Sequence, residues 1–548
     1  MSQKSLSDIN LSKENFSNEN YINRPWKEEI IYFLIVDRFH DGKAAQKAPD
    51  ALRPEYQQTD LMKRRGGTFK GIQGQLNYIK NLGCTTIWLS PVFENYEKDY
   101  HGYAINNFLN TDPRFGTIEE LKELVKKAHE LELRVVLDVV INHTANTWEY
   151  ENGYISYNGT SHRFGHWKDD QYPLPQELRN PDYYKKAGAI EHWDSYPETQ
   201  EGDIFELKKL ITDNSPVGWK VLEAMIKIYS FWIKECAIDG FRLDTVKHLE
   251  PSAVAVFCHK IREYAKYLGK DQFMIFGEAV GNYSLISRYF KQVKTERGYF
   301  EGLDAAFDFP LHFILEELIK GKRPASDLYQ LYRSNKKMLA RRNKKTSDWI
   351  VFADNHDQIA QGHKARIGFE AEEKQVIAMI GLVYFLYGIP CLYYGTEQYL
   401  QGNGPHDAWL REPMFHQEKD LCWHKEESFL YKEISSLAAL RKKMFLFSEA
   451  EMEIDFISIN GGDFVSSEHI REIIYWSKRI YEEKMILLYN PKKDERVAIC
   501  AKLSTNGSRI KSKLEYSYGG NGELNIDQKE GCGYINIDLN PLQFVILK

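Results

Sequence analysis

The sequence is poor in cysteine, has no block of one charge, and lacks the signatures of nucleotide and zinc enzymes. Each absence removes a class of function. Seven cysteines stand among 548 residues, odd in number, scattered from Cys84 to Cys532 and without a CxxC pair. That pattern excludes a disulfide frame or zinc site and reads as buried thiols in a reducing compartment. The net charge is −6 and no long basic run occurs, so the footprint that neutralises phosphates is missing and nucleic acid is not the expected partner. HExxH, the P-loop pattern and GxGxxG are all lacking, which leaves no organic cofactor in the reading. The first twenty residues, MSQKSLSDINLSKENFSNEN, contain no apolar h-region, so the cytoplasm is the expected location. A secreted mature form whose leader has been removed would look the same. Glycine (36) and proline (18) make about a tenth of the chain, too little for a disordered or collagenous composition.

Long apolar runs are also scarce. Residues 376–396 carry no charge and are long enough to span a bilayer. Gly388-Ile389-Pro390 breaks the run, because a helix ends at or before the residue preceding proline. A buried helix over 372–387 followed by a strand over 390–394 is the reading adopted, and no membrane partner is expected.

What is abundant is aromatic surface, 14% of residues with 34 tyrosines. Length allows three or four domains, or one large barrel with additions. After a polar arm (1–25) expected to be flexible, eight short apolar runs alternate with helical patterns: 30–36, 85–89, 135–141, 240–243, 273–276, 303–307, 349–352 and 390–394. The intervening stretch 118–131 places Leu121, Leu124, Val125 and Ala128 at helical spacing, and 217–236 reads likewise. Eight strand–helix units predict an α/β fold, a (β/α)8 TIM barrel over 26–143 and 203–443. The polar and aromatic stretch 144–202 is too long for an ordinary loop and is expected to be an inserted domain after strand 3. Its Trp148, Tyr150, Tyr154 and Trp167 are expected to pack within it rather than extend a cleft. From 444 to 548 alternating strands (473–476, 485–489, 534–539, 543–547) with Gly/Asn turns such as Gly519-Gly520-Asn521-Gly522 predict a C-terminal antiparallel β-sandwich.

Polar residues collect at the C-terminal ends of the predicted strands, where barrel enzymes build their sites. An Asp after a strand is usually a helix cap, but here four strands end in carboxylates beside His or Arg. Arg242 and Asp244 are two apart on a strand, so both side chains point the same way. The guanidinium is expected to keep Asp244 ionised, as a nucleophile requires. Glu278, on the next strand and facing Asp244 and Asp357, is expected to have its pKa raised by like charge and burial, which suits a proton donor. An ionised and a protonated carboxyl about 5–5.5 Å apart are the machinery of retaining glycoside hydrolysis.

DVVINH (138–143), GFRLDTVKH (240–248), FGEA (276–279) and FADNHD (352–357), in that order, resemble the signature regions of the α-amylase family of glycoside hydrolases. TTIWLSPVFEN (85–95), YHGY (100–103) and GIPCLYYGTEQ (388–398) extend the resemblance over about 26–445. It implies that Asp244 attacks the anomeric carbon, Glu278 protonates the leaving oxygen and then activates water, and Asp357 holds hydroxyls of the cleaved ring. Arg242 would orient Asp244, His143 and His356 would hydrogen-bond the same ring, and Tyr103 would stack beneath it. Lys247 and His248 would meet the leaving-group side, and Asp407 and Arg411 the non-reducing side. The implied cofactor is calcium, held by Asn142, the backbone carbonyl of His248 and Asp203, the last within GDIFELKKL (202–210) where the family has a PDL-type segment. Asn142 and Asp203 hydrogen-bonded without metal is the alternative. The implied function is retaining hydrolysis of α-1,4-glucosidic bonds in starch, glycogen or maltodextrins. Transglycosylation or disaccharide isomerisation with the same residues is the nearest competitor, and a catalytically silent carbohydrate-binding or partner subunit the most distant one. No sequence feature selects an oligomeric state.

Overall fold

A computed structural model describes residues 5–17, 20–43, 61–169, 172–357, 364–417, 419–504, 513–520, 524–529 and 532–548. Eight strands form a closed barrel: β1 (Ile31–Leu34), β2 (Thr86–Leu89), β3 (Arg134–Val139), β4 (Gly240–Leu243), β5 (Met274–Gly277), β6 (Ala305–Phe307), β7 (Trp349–Phe352) and β8 (Ile389–Tyr393). Neighbours follow chain order, with parallel pairing from β1 through β6 and from β7 to β8. Every residue of the eight strands is buried. Parallel strands covered on both faces read as near-continuous apolar runs, which is why the eight predicted segments coincide with them to within a few residues.

The helices carry their own start and stop signals. Ile118–Glu130 opens on a capping box in which Thr117 accepts from the Glu120 N–H and Glu120 accepts from the Thr117 N–H. Leu121, Leu124, Val125 and Ala128 then face the core. Pro216–Cys236 begins behind the Ser215 cap with proline in its first turn and ends where Ala237 turns left-handed.

The chain divides into two compact units, Met1–Trp26 with Ile31–Phe307 and Arg411–His424, and Lys27–Ile30 with Asp308–Leu410 and Lys425–Lys548. The first carries β1 to β6 and the long segment after β3. In that segment Trp148–Tyr150 pairs with Phe164–Trp167, and His143–Thr144 with Lys208–Lys209. Trp148 and Tyr150 are buried, with ring centroids 4.6 Å apart, and Trp167 packs on Phe164 and Tyr184. Tyr154 departs from the packing expectation and is 69% exposed.

The arm over 1–25 makes hydrogen bonds to distant parts of the chain. Among its described residues, Leu6–Asp8 forms a capped turn whose Ser5 Oγ and Leu6 N–H donate to Glu177, and Ile9 is buried. Lys234 donates to the Asn10 carbonyl and Tyr264 to that of Leu11, while Tyr21 accepts from the Gln272 N–H. Polar composition hid these long-range bonds.

In the second unit the uncharged run splits as read, into the helix Glu373–Phe385 and β8, with Gly388 at φ 75° between them. No helix among the described residues is long and apolar enough to cross a membrane. Beyond 444 stand two five-stranded antiparallel sheets. One is ordered Met452–Glu453, Ile474–Ile480, Glu483–Tyr489, Phe544–Leu547, Leu514–Tyr518, and the other Val465–Ser466, Phe456–Ile459, Val497–Ser504, Cys532–Leu539, Leu524–Lys529. Their facing sides share one core that includes Ile457, Tyr475, Leu488, Ile499, Ile537 and Val545. Of the predicted Gly/Asn turn, Asn521 and Gly522 lie outside the described residues.

Candidate active site

Arg242 is fully buried at the centre of β4, where the register sets it beside Asp138 of β3 and Phe276 of β5. Its Nη1 donates to Asp138 Oδ1 and Oδ2 at 2.9 and 3.1 Å and to Asp244 Oδ1 at 2.6 Å, and its Nη2 donates to Glu278 Oε2 at 2.7 Å. The guanidinium thus serves three carboxylates, where sequence reasoning had assigned it to Asp244 alone. Glu278 thus has a direct ion pair with Arg242 beside the acids expected to face it.

Asp244 and Glu278 follow the last paired residues of β4 and β5, Leu243 and Gly277, and the Glu278 N–H donates to the Leu243 carbonyl at 3.1 Å. They therefore stand side by side at neighbouring strand ends, which in a sheet are about 4.7–4.9 Å apart. Asp244 is 4% and Glu278 7% exposed. Two local features fix them. A Cβ at Gly277 would lie 2.6 Å from Leu303 Cδ1 and 2.8 Å from Val246 Cγ2, so a larger residue before Glu278 would have to push these side chains aside. Thr245 turns left-handed at φ 48°, a costly conformation for a β-branched residue, and lets the Val246 N–H reach the Glu278 carbonyl at 2.9 Å.

Asp138 was quoted in the sequence but given no role, and the structure makes it a hub. Besides Arg242 it accepts from Trp88 Nε1 at 3.1 Å and from the Tyr103 hydroxyl at 2.9 Å. Burial pushes its carboxyl up to about 8, against the pull of Arg242. The only sequence signal was an acid inside the otherwise apolar run 135–141. Tyr103 is thereby anchored by its hydroxyl, with its ring 5.8 Å from the Arg242 guanidinium carbon.

His143 is buried, with Nδ1 3.2 Å from Asn142 Nδ2 and Nε2 3.2 Å from the Tyr103 carbonyl. Burial pushes it down to about 3, so it is neutral across the physiological range. His248 Nδ1 faces the Thr199 carbonyl at 2.8 Å, and burial pushes this ring down to about 4. Lys247 Nζ pairs with Asp194. Arg411 Nη1 lies 3.5 Å from the Tyr100 hydroxyl. Asn142 Oδ1 and the His248 carbonyl both accept from Lys209 Nζ, a residue that sequence reasoning missed. Burial and the Lys185 charge push the Lys209 amine down to about 7, against Glu250, Asp203 and Asp213. As ammonium or amine, Nζ donates to both oxygens.

The other predicted residues lie in the second unit. His356 is fully buried, with Nδ1 2.5 Å from Asn355 Oδ1 and Nε2 3.0 Å from Asp357 Oδ2. The Asp357 side chain is 27% exposed. Asp354 is committed to structure, accepting from the Ile367 N–H at 2.6 Å and the Thr396 hydroxyl at 2.8 Å. Asp407 opens the turn Asp407–Leu410.

A description of the alpha-amylase catalytic domain matches residues 33–479. The chain belongs to the alpha-amylase family. Curated relatives within reach of this family chain include an alpha-amylase of Streptomyces lividans, 30% identical over 456 residues that cover 71% of this chain and 48% of that protein. A cyclomaltodextrin glucanotransferase of Klebsiella oxytoca is 28% identical, with coverage of 68% and 58%. The chain thus spans about half the length of these two relatives. Among solved structures, an Anoxybacillus alpha-amylase superposes with a TM-score of 0.69 at 24% identity, covering 96% of this chain and 98% of that one. At that identity the likeness carries the alpha-amylase fold alone.

Proposed function

We propose that this alpha-amylase family chain is a retaining glycoside hydrolase acting on α-1,4-glucosidic bonds of starch, glycogen or maltodextrins. The observation that carries the reading is the pair Asp244 and Glu278, side by side at adjacent strand ends and joined through opposite nitrogens of Arg242. That spacing suits double displacement, whose two carboxyl groups lie about 5–5.5 Å apart.

In this reading Asp244, held by Arg242, attacks the anomeric carbon, and Glu278, held by the same guanidinium, gives its proton to the leaving oxygen. Glu278 then takes a proton from the incoming water as the glycosyl–Asp244 bond breaks. Asp357 and His356 bind hydroxyls of the cleaved ring, Tyr103 stacks beneath it, and Lys247, His248, Asp407 and Arg411 line the subsites on either side. The barrel is taken as 26–143 and 203–443, the insertion as 144–202 and the C-terminal sandwich as 444–548. Six cysteines, all but Cys532, are thiols, four of them buried, which supports a reducing, cytoplasmic setting.

Transfer of the glycosyl unit to a second sugar is the alternative, favoured by relatives named as cyclomaltodextrin glucanotransferases. Chromatography of products from maltooligosaccharides of defined length, with starch and cyclodextrin alongside, separates the two. Shorter products with new reducing ends support hydrolysis, and products longer than the substrate support transfer. No turnover of any of these glucans by the wild type would leave the silent-subunit reading in place of both.

A further inference from the structure

The residues that the family resemblance assigns to calcium do not fit that ion here, and the misfit has a specific cause. Asn142 Oδ1 and the His248 carbonyl converge, but on Lys209 Nζ, which donates to both, the second at 2.8 Å. Asp203, the one carboxylate of the set, is directed elsewhere. Its Oδ2 accepts from the Tyr150 hydroxyl at 2.7 Å and lies 3.6 Å from Lys208 Nζ, and its Oδ1 accepts the Lys209 backbone N–H at 2.9 Å. Asn142, Asp203 and Lys209 are all buried. Calcium takes six to eight oxygen ligands, and the two oxygens that converge here are already hydrogen-bonded to one nitrogen.

We propose that Lys209 replaces the calcium ion, its side-chain nitrogen joining the loops after β3 and β4 to the end of the inserted segment without metal. The strand pairing sets this up. Lys208–Lys209 lies antiparallel to His143–Thr144, with Lys209 across from His143. Successive side chains on a strand point to opposite faces, so Lys208 turns to Asp203 and the Trp148 and Tyr150 rings while Lys209 turns to Asn142. The substitution also sets a proton. A donating lysine requires the Asn142 oxygen to face it, so the Asn142 NH2 faces His143 Nδ1 at 3.2 Å. The His143 proton then sits on Nε2, which donates to the Tyr103 carbonyl at 3.2 Å.

The inference rests on the fold and not on the proposed activity, and its test reads metal content and stability. The full chain is dialysed first against calcium chloride and then against calcium-free buffer, with a parallel sample in EGTA. The expected result is less than one calcium per chain by atomic emission and the same Tm in both samples. One calcium per chain, or a Tm that falls in EGTA and returns with calcium, overturns the proposal. Lys209→Met keeps the stem and removes the donor. It is expected to lower Tm by several degrees in either buffer, and a Tm equal to that of the wild type would equally overturn it. If that variant does not fold, the wild-type chelation result still decides.

Discussion

Arg242 Nη2 donates to Glu278 Oε2 at 2.7 Å with the arginine fully out of solvent. The residue expected to hold Asp244 therefore holds Glu278 too, and Asp138 besides. A lysine at 242 is a compact donor on a flexible stem and cannot span the three acids as the planar fork does. Arg242→Lys is expected to lower kcat on a maltooligosaccharide by about 10²–10³-fold, the range for losing one preorganised donor. Lysine keeps the positive charge but leaves some of the buried carboxylate oxygens without their hydrogen bonds, which is expected to cost about 1–3 kcal/mol of stability. Activity within a few-fold of the wild type would remove Arg242 from the account.

A second prediction concerns packing between a barrel helix and the C-terminal sheets. Gly381 lies in the helix Glu373–Phe385, and a Cβ built there would sit 2.3 Å from Phe544 Cε1. Gly381→Ala is expected to cost about 1–3 kcal/mol through overpacking and to lower Tm. Phe544→Leu in the same chain is expected to return part of that loss, so the two substitutions are non-additive. Additive losses in thermal melts would show that the two residues do not meet.

Acid lability follows from a buried imidazole. His312 is 5% exposed and stacked on Phe352 with centroids 4.6 Å apart, and burial holds its pKa below the ordinary value. The unfolded chain binds this proton below about pH 6.5 and the folded chain does not. Stability is therefore fully present above about pH 6.5 and falls as pH drops, by up to about 1.4 kcal/mol per pH unit. Asp239 acts in the same direction at lower pH. Against its burial, the Lys270 ammonium and His129 hold its carboxyl well below the usual range, so its contribution is full above about pH 3.8 and is lost as the pH falls further. Urea melts between pH 7 and 5 are expected to show the loss, with a shallower slope in His312→Gln. Equal slopes in the two proteins would contradict the assignment.

The barrel was legible in the sequence because its strands are short, apolar and buried on both faces, so composition and spacing found all eight. The C-terminal strands Phe456–Ile459, Leu514–Tyr518 and Leu524–Lys529 were not found, since polar residues interrupt them and weaken the alternation that marks a half-buried strand. Asp244 and Glu278 could be singled out as a pair because adjacent strands place their ends together. The roles of Asp138 and Lys209 could not, because their partners are 104 and 67 residues away in the chain. Two adjacent lysines in GDIFELKKL look like a solvated face until the strand pairing turns one of them onto Asn142.

The most direct test of the central claim is proton NMR of the anomer first released from a maltooligosaccharide, recorded before mutarotation. Double displacement through Asp244 and Glu278 predicts the α-anomer, and its loss in Asp244→Asn. Initial release of the β-anomer by the wild type would contradict the account.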